Sequence, residues 1–266
     1  MGNNINSTNY SPTSLITKLE MGNFNNPNPK KDDTIRFVCI SDTHTSADEI
    51  KIPEGDVLIF SGDFSYSGKL SEVEKFKSFL LSIPHKYKVV IAGNHDLSFD
   101  KIKYQNLRKH PKLKMVYPES NEDFKNSFIN GVEGLIYLEN SSINLFGYNI
   151  YGSPFTPIYY NWAFMKPDSD LVAIWKEIPD DTDILITHGP PKFVGDLTYR
   201  NIYAGSLTLL EEIQQRIKPK FHVFGHIHEG YGVYSDGATT FINCAIMNVD
   251  YNPVNSPIVF DLPKLI

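Results

Sequence analysis

Five short stretches carry side chains able to ligate a metal, and each follows an apolar run. They are Asp42-Thr43-His44, Gly62-Asp63, Gly93-Asn94-His95-Asp96, His188-Gly189 and Gly225-His226-Ile227-His228. Singly, each is a weak signal, because a D-x-H after a strand is more often a satisfied turn. Jointly they offer two carboxylates (Asp42 and Asp63), one amide (Asn94) and four imidazoles (His44, His188, His226 and His228). Imidazole nitrogen and carboxylate oxygen suit divalent Mn, Fe or Zn without any thiolate. The set therefore predicts a site for two divalent metal ions. Ions about 3.5–4 Å apart need a bridging carboxylate, and Asp63 is the natural bridge. His226 and His228 stand at i and i+2, so at an extended strand end they point the same way, toward adjacent ions. The flanking Gly225 and Gly230 let the backbone bend sharply and come close. Two divalent cations outweigh two carboxylates and a bridging hydroxide, so the site attracts a small phosphate anion.

The elements that must position these residues alternate. Ile35–Ile40, "DVLIFSG" (56–62), "KVVIAG" (88–93), "DILITHG" (183–189) and "FHVFG" (221–225) are near-continuous apolar runs, as in strands covered on both faces. In open α/β sheets, sites form beyond the carboxyl ends of strands, and five such ends on one sheet would gather the ligands. Helical stripes lie between them. Val73, Phe76, Leu80 and Ile83 follow a capping box at Ser71 and Glu74. Leu171, Ile174, Trp175 and Ile178 form a second stripe, and Leu207, Leu210, Ile213 and Ile217 a third, capped by Ser206. These are core faces. Asp236-Gly237 between two alternating runs signals a hairpin. "EGLIYLENSSINLFGYNIYGS" reads as strands joined by turns, and "PIVFDL" (257–262) as the last strand. The fold class is α/β, a four-layer α-β-β-α sandwich of two mixed sheets with helices outside.

The bulk numbers fit one domain over 34–266 behind a polar, Asn-rich tail over 1–33. Within that tail, Ser14–Leu19 has the makings of a short strand or helix. The chain of 266 residues is 41% hydrophobic and 21% charged, with net charge −6. Its one dense basic cluster is Lys30-Lys31, so a long nucleic acid is not an expected partner. Cys39 and Cys244, both within apolar runs, are expected as buried thiols of a reducing compartment. No run is long enough for a membrane span, and there is no signal-peptide core. Met1-Gly2 begins like a myristoylation site, but Asn6 stands where the hydroxyl is required. A cytoplasmic protein without membrane partners is expected.

The order D-x-H, G-D, G-N-H-[DE], H-G and G-H-x-H resembles the calcineurin-like metallophosphoesterase superfamily, and the match runs from about Arg36 to His228. The resemblance implies that Asp42, His44, Asp63 and His228 hold one metal. It implies that Asp63, Asn94, His188 and His226 hold the other. His95 matches the leaving-group acid, with Asp96 a neighbour that orients ligands. Asn94 and His95 then also contact substrate. "VIAGNHDLSFD", "DILITHGPP", "HVFGHIHEGYG" and "IVFDLP" look like the small metallophosphoesterase-domain-containing subfamily, related to class III cyclic-nucleotide phosphodiesterases. Some vertebrate members of that group lack the histidine matching His226 and are weak enzymes, so its presence here implies a complete second site. One departure stands out. The family often has G-D-x-x-D, its last Asp paired with the catalytic His, and Tyr66 occupies that place here. Tyr66 is expected to pack, with a hydrogen bond to substrate as the alternative.

These features imply metal-dependent hydrolysis of a phosphodiester, most of all a small or cyclic nucleotide, with Mn the expected metal in vitro. The alternatives are a phosphomonoesterase on a small metabolite and a non-catalytic metal-binding scaffold. A protein phosphatase fits less well, because Ser67 and Gly68 stand where those enzymes carry a basic residue. Phe64, Tyr66, Phe155, Tyr159, Tyr160 and Trp162 lie in or near the site loops, either to stack on a base or to pack. The oligomeric state is not legible.

Overall fold

The chain was analysed as a computed structural model that describes residues 15–109 and 121–265. Its elements run β1 (Thr17–Lys18), α1 (Gly22–Asn25), β2 (Thr34–Ile40), β3 (Val57–Ser61), α2 (Leu70–Ser82), β4 (Tyr87–Ile91), α3 (Lys101–Lys109), α4 (Asn121–Asn130), β5 (Leu135–Tyr137), β6 (Ser141–Leu145), β7 (Tyr148–Ser153), β8 (Thr156–Pro157), β9 (Met165–Lys166), α5 (Asp168–Trp175), β10 (Ile184–Thr187), α6 (Leu207–Glu212), β11 (Phe221–Phe224), β12 (Gly232–Ser235), β13 (Thr240–Asn243) and β14 (Ile258–Pro263). Among the described residues, one main sheet has the order β14-β2-β3-β4-β5 and the other β1-β12-β13-β11-β10-β7-β6. Both are mixed. Strands β2 to β5 run parallel with β14 antiparallel at the edge, and β7, β10, β11 and β13 run parallel with antiparallel flanks.

Alternation along the buried runs makes the layers. Phe37, Cys39, Val57, Ile59, Val89 and Ile91 face Ile150, Ile184, Ile186, Val223 and Ile242 across the gap between the sheets. The intervening Val38, Ile40, Leu58, Phe60 and Val90 pack outward against Val73, Phe76 and Leu80 of α2 and Phe128 of α4. On the opposite side, Leu185, Phe224 and Phe241 pack against Leu171 and Trp175 of α5 and Leu209 and Leu210 of α6. Strands β2, β3, β4, β10 and β11 are covered on both faces, as their near-continuous apolar runs require. Cys39 and Cys244 are free, buried thiols in the inter-sheet core.

Three expectations shift. The cap of α2 lies earlier than Ser71-Glu74: Glu72 accepts from the backbone N–H groups of Ser67 at 2.8 Å and of Tyr66 and Lys69 at 3.2 Å. Helices α3 and α4 were not signalled, because polar and charged residues outnumber apolar ones in both. From residue 15 onward the polar N-terminal stretch is not free. Strand β1 pairs antiparallel with β12, and Leu19, Met21 and Phe24 pack on the inter-sheet core. Residues 1–14, with the Met1-Gly2 near-motif and Ser14, lie outside the described residues. The third stripe begins as expected, with Ser206 Oγ accepting from the Leu209 N–H at 3.0 Å. It closes in a π-turn over Ile213–Ile217.

Candidate metal centre

The five ligand-bearing loops do meet, but across two sheets. Asp42, Asp63 and Asn94 follow β2, β3 and β4, whereas His188, His226 and His228 follow β10 and β11 of the facing sheet. The expectation of one sheet is corrected for a geometric reason: the parallel strands of both sheets end at the same edge of the sandwich, so their loops share one seam. Hydrogen bonds between ligand-bearing loops stitch it. The backbone N–H of His226 donates to Asp42 Oδ2 at 2.9 Å. His188 Nδ1 donates to the Ser61 carbonyl at 2.9 Å.

The backbone there is strained. Asp42, His44, Asp63 and His226 have φ of 52°, 39°, 59° and 67°. Non-glycine residues rarely occupy this region, and each costs about 1 kcal/mol or more. Such strain persists where surrounding bonds enforce it, commonly at functional sites. The enforcing bonds are Asp42 N–H to the Gly62 carbonyl at 2.9 Å and His44 N–H to the Asp63 carbonyl at 3.1 Å. The left-handed His226 also revises the reading of the H-x-H spacing. Residues 226–228 are not an extended strand end; His228 begins a short 3₁₀ turn. Both imidazoles nevertheless face the centre, each with a donor atom in one of its ligand clusters. Gly225 is needed for close approach, since a Cβ there would strike Asp42 and Ser41; Gly230 instead abuts Gly195.

Two ligand sets emerge. The donor atoms of Asp42, His44 and His228 lie within 4.8 Å of one another, as do those of Asp63, His188 and His226. Asp63 sits between the sets: its Oδ2 is 3.4 Å from His188 Nε2 and 3.8 Å from His44 Nε2. Asp42 Oδ1 is 3.5 Å from His228 Nε2. Asn94 Oδ1 is 2.8 Å from His188 Nε2. All seven expected ligands therefore converge, with Asp63 in the bridging place.

The donors suit divalent cations. Asp42 Oδ1 and both ring nitrogens of His44 are buried without hydrogen-bond partners, a costly arrangement unless something coordinates them. His188 Nδ1 is tied to Ser61 and His228 Nδ1 to the Asn248 carbonyl at 2.9 Å. These bonds orient each ring and turn Nε2 toward the centre, as for metal-ligating histidines generally. Burial lowers His44 to about 4 and His226 to about 3, which keeps them neutral and able to ligate. Burial works against both carboxylates. Even so, His228 holds Asp42 below its ordinary value, and His188 and His95 hold Asp63 well below its own. At His188 burial is outweighed by Asp63, which raises it to about 9. A cation seated among these atoms neutralises the same carboxylates and displaces that proton.

His95 and Asp96, paired in the sequence expectation, do different things. The part-buried His95 sits beside the cluster, its donor atom within 4.8 Å of those of His44 and Asp63. Its Nδ1 bonds the Tyr66 carbonyl at 2.8 Å. The partner that replaces the family's acid is thus the backbone of Tyr66 and not its side chain. The Tyr66 ring packs edge-on against His44 and His95, yet it stays 52% exposed on the cleft wall. Asp96 is fully buried and takes backbone N–H groups of Asp63, Gly93 and Ser65 at 2.8–2.9 Å and the Ser65 hydroxyl at 2.6 Å. Burial, then Asp63, push its pKa up to about 8, while four donors favour the ionised form. It locks the β3 and β4 loops together. Asp96→Asn must turn an amide NH₂ against N–H donors, and we expect a loss of about 3 kcal/mol, read as a lower Tm of metal-free protein.

His44, Asp63, Asn94, His95, His226 and His228 lie on the floor of an open cleft of about 1080 Å³, whereas Asp42, His188 and Asp96 are fully buried. Of the aromatic candidates, Tyr66, Tyr159, Tyr160 and Trp162 line it, whereas Phe64 and Phe155 belong to the core. Sequence reasoning missed Tyr251, Tyr199 and Arg200 on the walls, and Asn248 behind His228. The polar-aromatic stretch Asn248–Asn252 directly after an apolar run was the available signal.

A family model for calcineurin-like phosphoesterases matches residues 35–230. The chain is 46% identical over 242 residues to metallophosphoesterase domain-containing protein 1 of Homo sapiens, across 88% of this chain and 73% of that protein; the Mus musculus protein matches equally. It is 41% identical over 244 residues to UPF0046 protein T07D4.2 of Caenorhabditis elegans, across 88% of this chain and 62% of the relative. One solved crystal structure, at 15% identity, superposes with a TM-score of 0.56 over 79% of this chain and 90% of its own, a likeness of fold alone.

Proposed function

The chain belongs to the calcineurin-like phosphoesterase family, and from that premise we propose that it hydrolyses phosphodiesters of small nucleotides, cyclic ones foremost. The carrying observation is the pair of ligand sets with Asp63 between them and His95 beside them, at an aromatic-lined cleft. One ion would be held by Asp42, His44, Asp63 and His228, the other by Asp63, Asn94, His188 and His226. When bound, such ions supply Lewis acidity to the phosphoryl oxygens and a water acidified toward neutral pH.

The chain's own residues do the rest. With Oδ1 of Asn94 turned to His188, its Nδ2 remains to donate to a phosphoryl oxygen. His95, held through Nδ1 by the Tyr66 carbonyl, presents Nε2 to the leaving oxygen and gives it a proton. The net charge of −6 disfavours a long nucleic acid. The free thiols of Cys39 and Cys244 fit a reducing, cytoplasmic setting. Among the described residues, no helix is long and apolar enough to cross a membrane.

The deciding experiment is turnover of bis-p-nitrophenyl phosphate by Mn²⁺-loaded protein, extended to 2′,3′- and 3′,5′-cyclic nucleotides and to monoesters. We expect diesters to be hydrolysed with higher kcat/KM than monoesters. Preference for monoesters would replace the reading with a phosphomonoesterase. Bound metal without turnover, whichever divalent ion is supplied, would replace it with a scaffold.

A further inference from the structure

Tyr251 combines two features that stability does not explain. Its φ is 59°, a strained value for a tyrosine, and its ring is 43% exposed. The strain is enforced by a tight turn. Asn248 N–H bonds the Asn252 carbonyl, and Tyr251 N–H bonds the Asn248 carbonyl, both at 3.0 Å. Asn248 Oδ1 accepts from the N–H groups of Asp250 and Asn252, also at 3.0 Å. That same Asn248 carbonyl takes His228 Nδ1. One turn thus orients a candidate metal ligand and holds an aromatic ring over the centre.

The ring has a defined place. Its centroid is 4.8 Å from that of His44 and 5.3 Å from that of His228. Trp162 lies at the other end, 4.3 Å from His95. Tyr66 stands between, 5.7 Å from His95 and 5.8 Å from Tyr251. In the proposed hydrolysis, water oxygen forms a new bond to phosphorus, the bond to the leaving oxygen breaks, and that oxygen takes the His95 proton. The leaving group must therefore lie on the His95–Trp162 side. The group that stays on phosphorus is then directed toward His44, His228 and Tyr251.

We infer that Tyr251, backed by Tyr66, is a specificity wall for a planar aromatic group on the retained half of an acyclic phosphodiester, while Trp162 faces the leaving half. This rests on the phosphodiesterase reading and assigns its two ester arms to opposite walls. A base or aryl ring gains by stacking there, and a methyl group does not.

The test uses two diesters with one leaving group, bis-p-nitrophenyl phosphate and methyl p-nitrophenyl phosphate, on metal-loaded protein. Tyr251→Asn removes the ring but suits the left-handed backbone, so folding is not at risk. Its kcat/KM is expected to fall about fivefold to tenfold on the aryl diester and less than about twofold on the methyl one. Tyr251→Phe keeps the wild-type pattern, and Trp162→Leu lowers both substrates alike. Equal losses on both diesters in Tyr251→Asn, or none on either, would overturn the assignment; equal losses with reduced metal content would mean that the turn acts through His228. Calorimetry supplies a readout without turnover. Metal-loaded wild type should bind a nucleoside 5′-monophosphate more tightly than ribose 5-phosphate, and Tyr251→Asn should close most of that gap. An unchanged gap overturns the wall. If the wild type hydrolysed neither diester, the phosphodiesterase reading would fall, and the binding gap would still decide whether the wall exists.

Discussion

Asp63→Asn is expected to lower kcat/KM on bis-p-nitrophenyl phosphate by about a thousandfold or more, the scale of losing a metal's stabilisation of transition-state charge. The substitution is nearly isosteric, so the loss separates charge from shape. Asp63 Oδ1 accepts the His95 backbone N–H at 2.8 Å, and an amide oxygen can keep that bond. What the amide cannot supply is a carboxylate oxygen placed between the two ligand sets, 3.4 Å from His188 Nε2 and 3.8 Å from His44 Nε2. The remaining donors then hold at most one ion well. Metal-free stability should fall modestly, because His188 and His95 hold Asp63 well below its ordinary value and Asp63 in turn raises His188 to about 9; relief of its repulsion with Asp96 offsets part of that loss. The check is metal content per chain beside the melting curve. A variant that bound two ions and turned over like wild type would end the bridging role, and a metal-free protein already unfolded at the assay temperature would show that the loss came from folding.

The sequence made the ligands legible because their donor types sit at the ends of buried strands, where an apolar run stops and chemistry begins. Ile40, Ser61, Ile91, Thr187 and Phe224 end the strands preceding the five motifs. Which sheet each strand joined was not legible. Runs covered on both faces look alike wherever they lie, and only pairing such as β10 with β7 and β11 divides them. Helices α3 and α4 escaped because a helix with few apolar anchors carries a weak periodic signal.

The rest was hidden because backbone atoms carry it. A search for an acid to partner His95 finds Tyr66 and reads a loss; the structure shows the Tyr66 carbonyl in that role, and any residue could supply a carbonyl. Asn248 likewise holds His228 through its main chain, so residue type gives only the turn and not the contact. The attached N-terminal stretch rests on two strand residues and three apolar side chains, Leu19, Met21 and Phe24, set in a polar context that masks them.

The second large effect concerns His95. His95→Ala is expected to slow a 2′,3′-cyclic nucleotide, whose leaving oxygen is an alkoxide, by about 10²–10⁴-fold. A p-nitrophenyl ester should slow by less than about tenfold, because nitrophenolate departs as an anion unaided. The difference follows from where the proton goes. Nδ1 donates to the Tyr66 carbonyl, so Nε2 is the nitrogen left to act; it gives a proton only from the imidazolium, protonated at both nitrogens, and only if the leaving oxygen needs it. A carbonyl fixes ring orientation and tautomer without adding a negative charge beside Asp63, already flanked by the carboxylates of Asp42 and Asp96. Tyr66→Phe keeps that carbonyl and so should keep the leaving-group pattern. Pre-steady-state rates on the two ester classes read the chemical step free of product release. If His95→Ala slows both classes equally, His95 only binds phosphate and the proton comes from elsewhere.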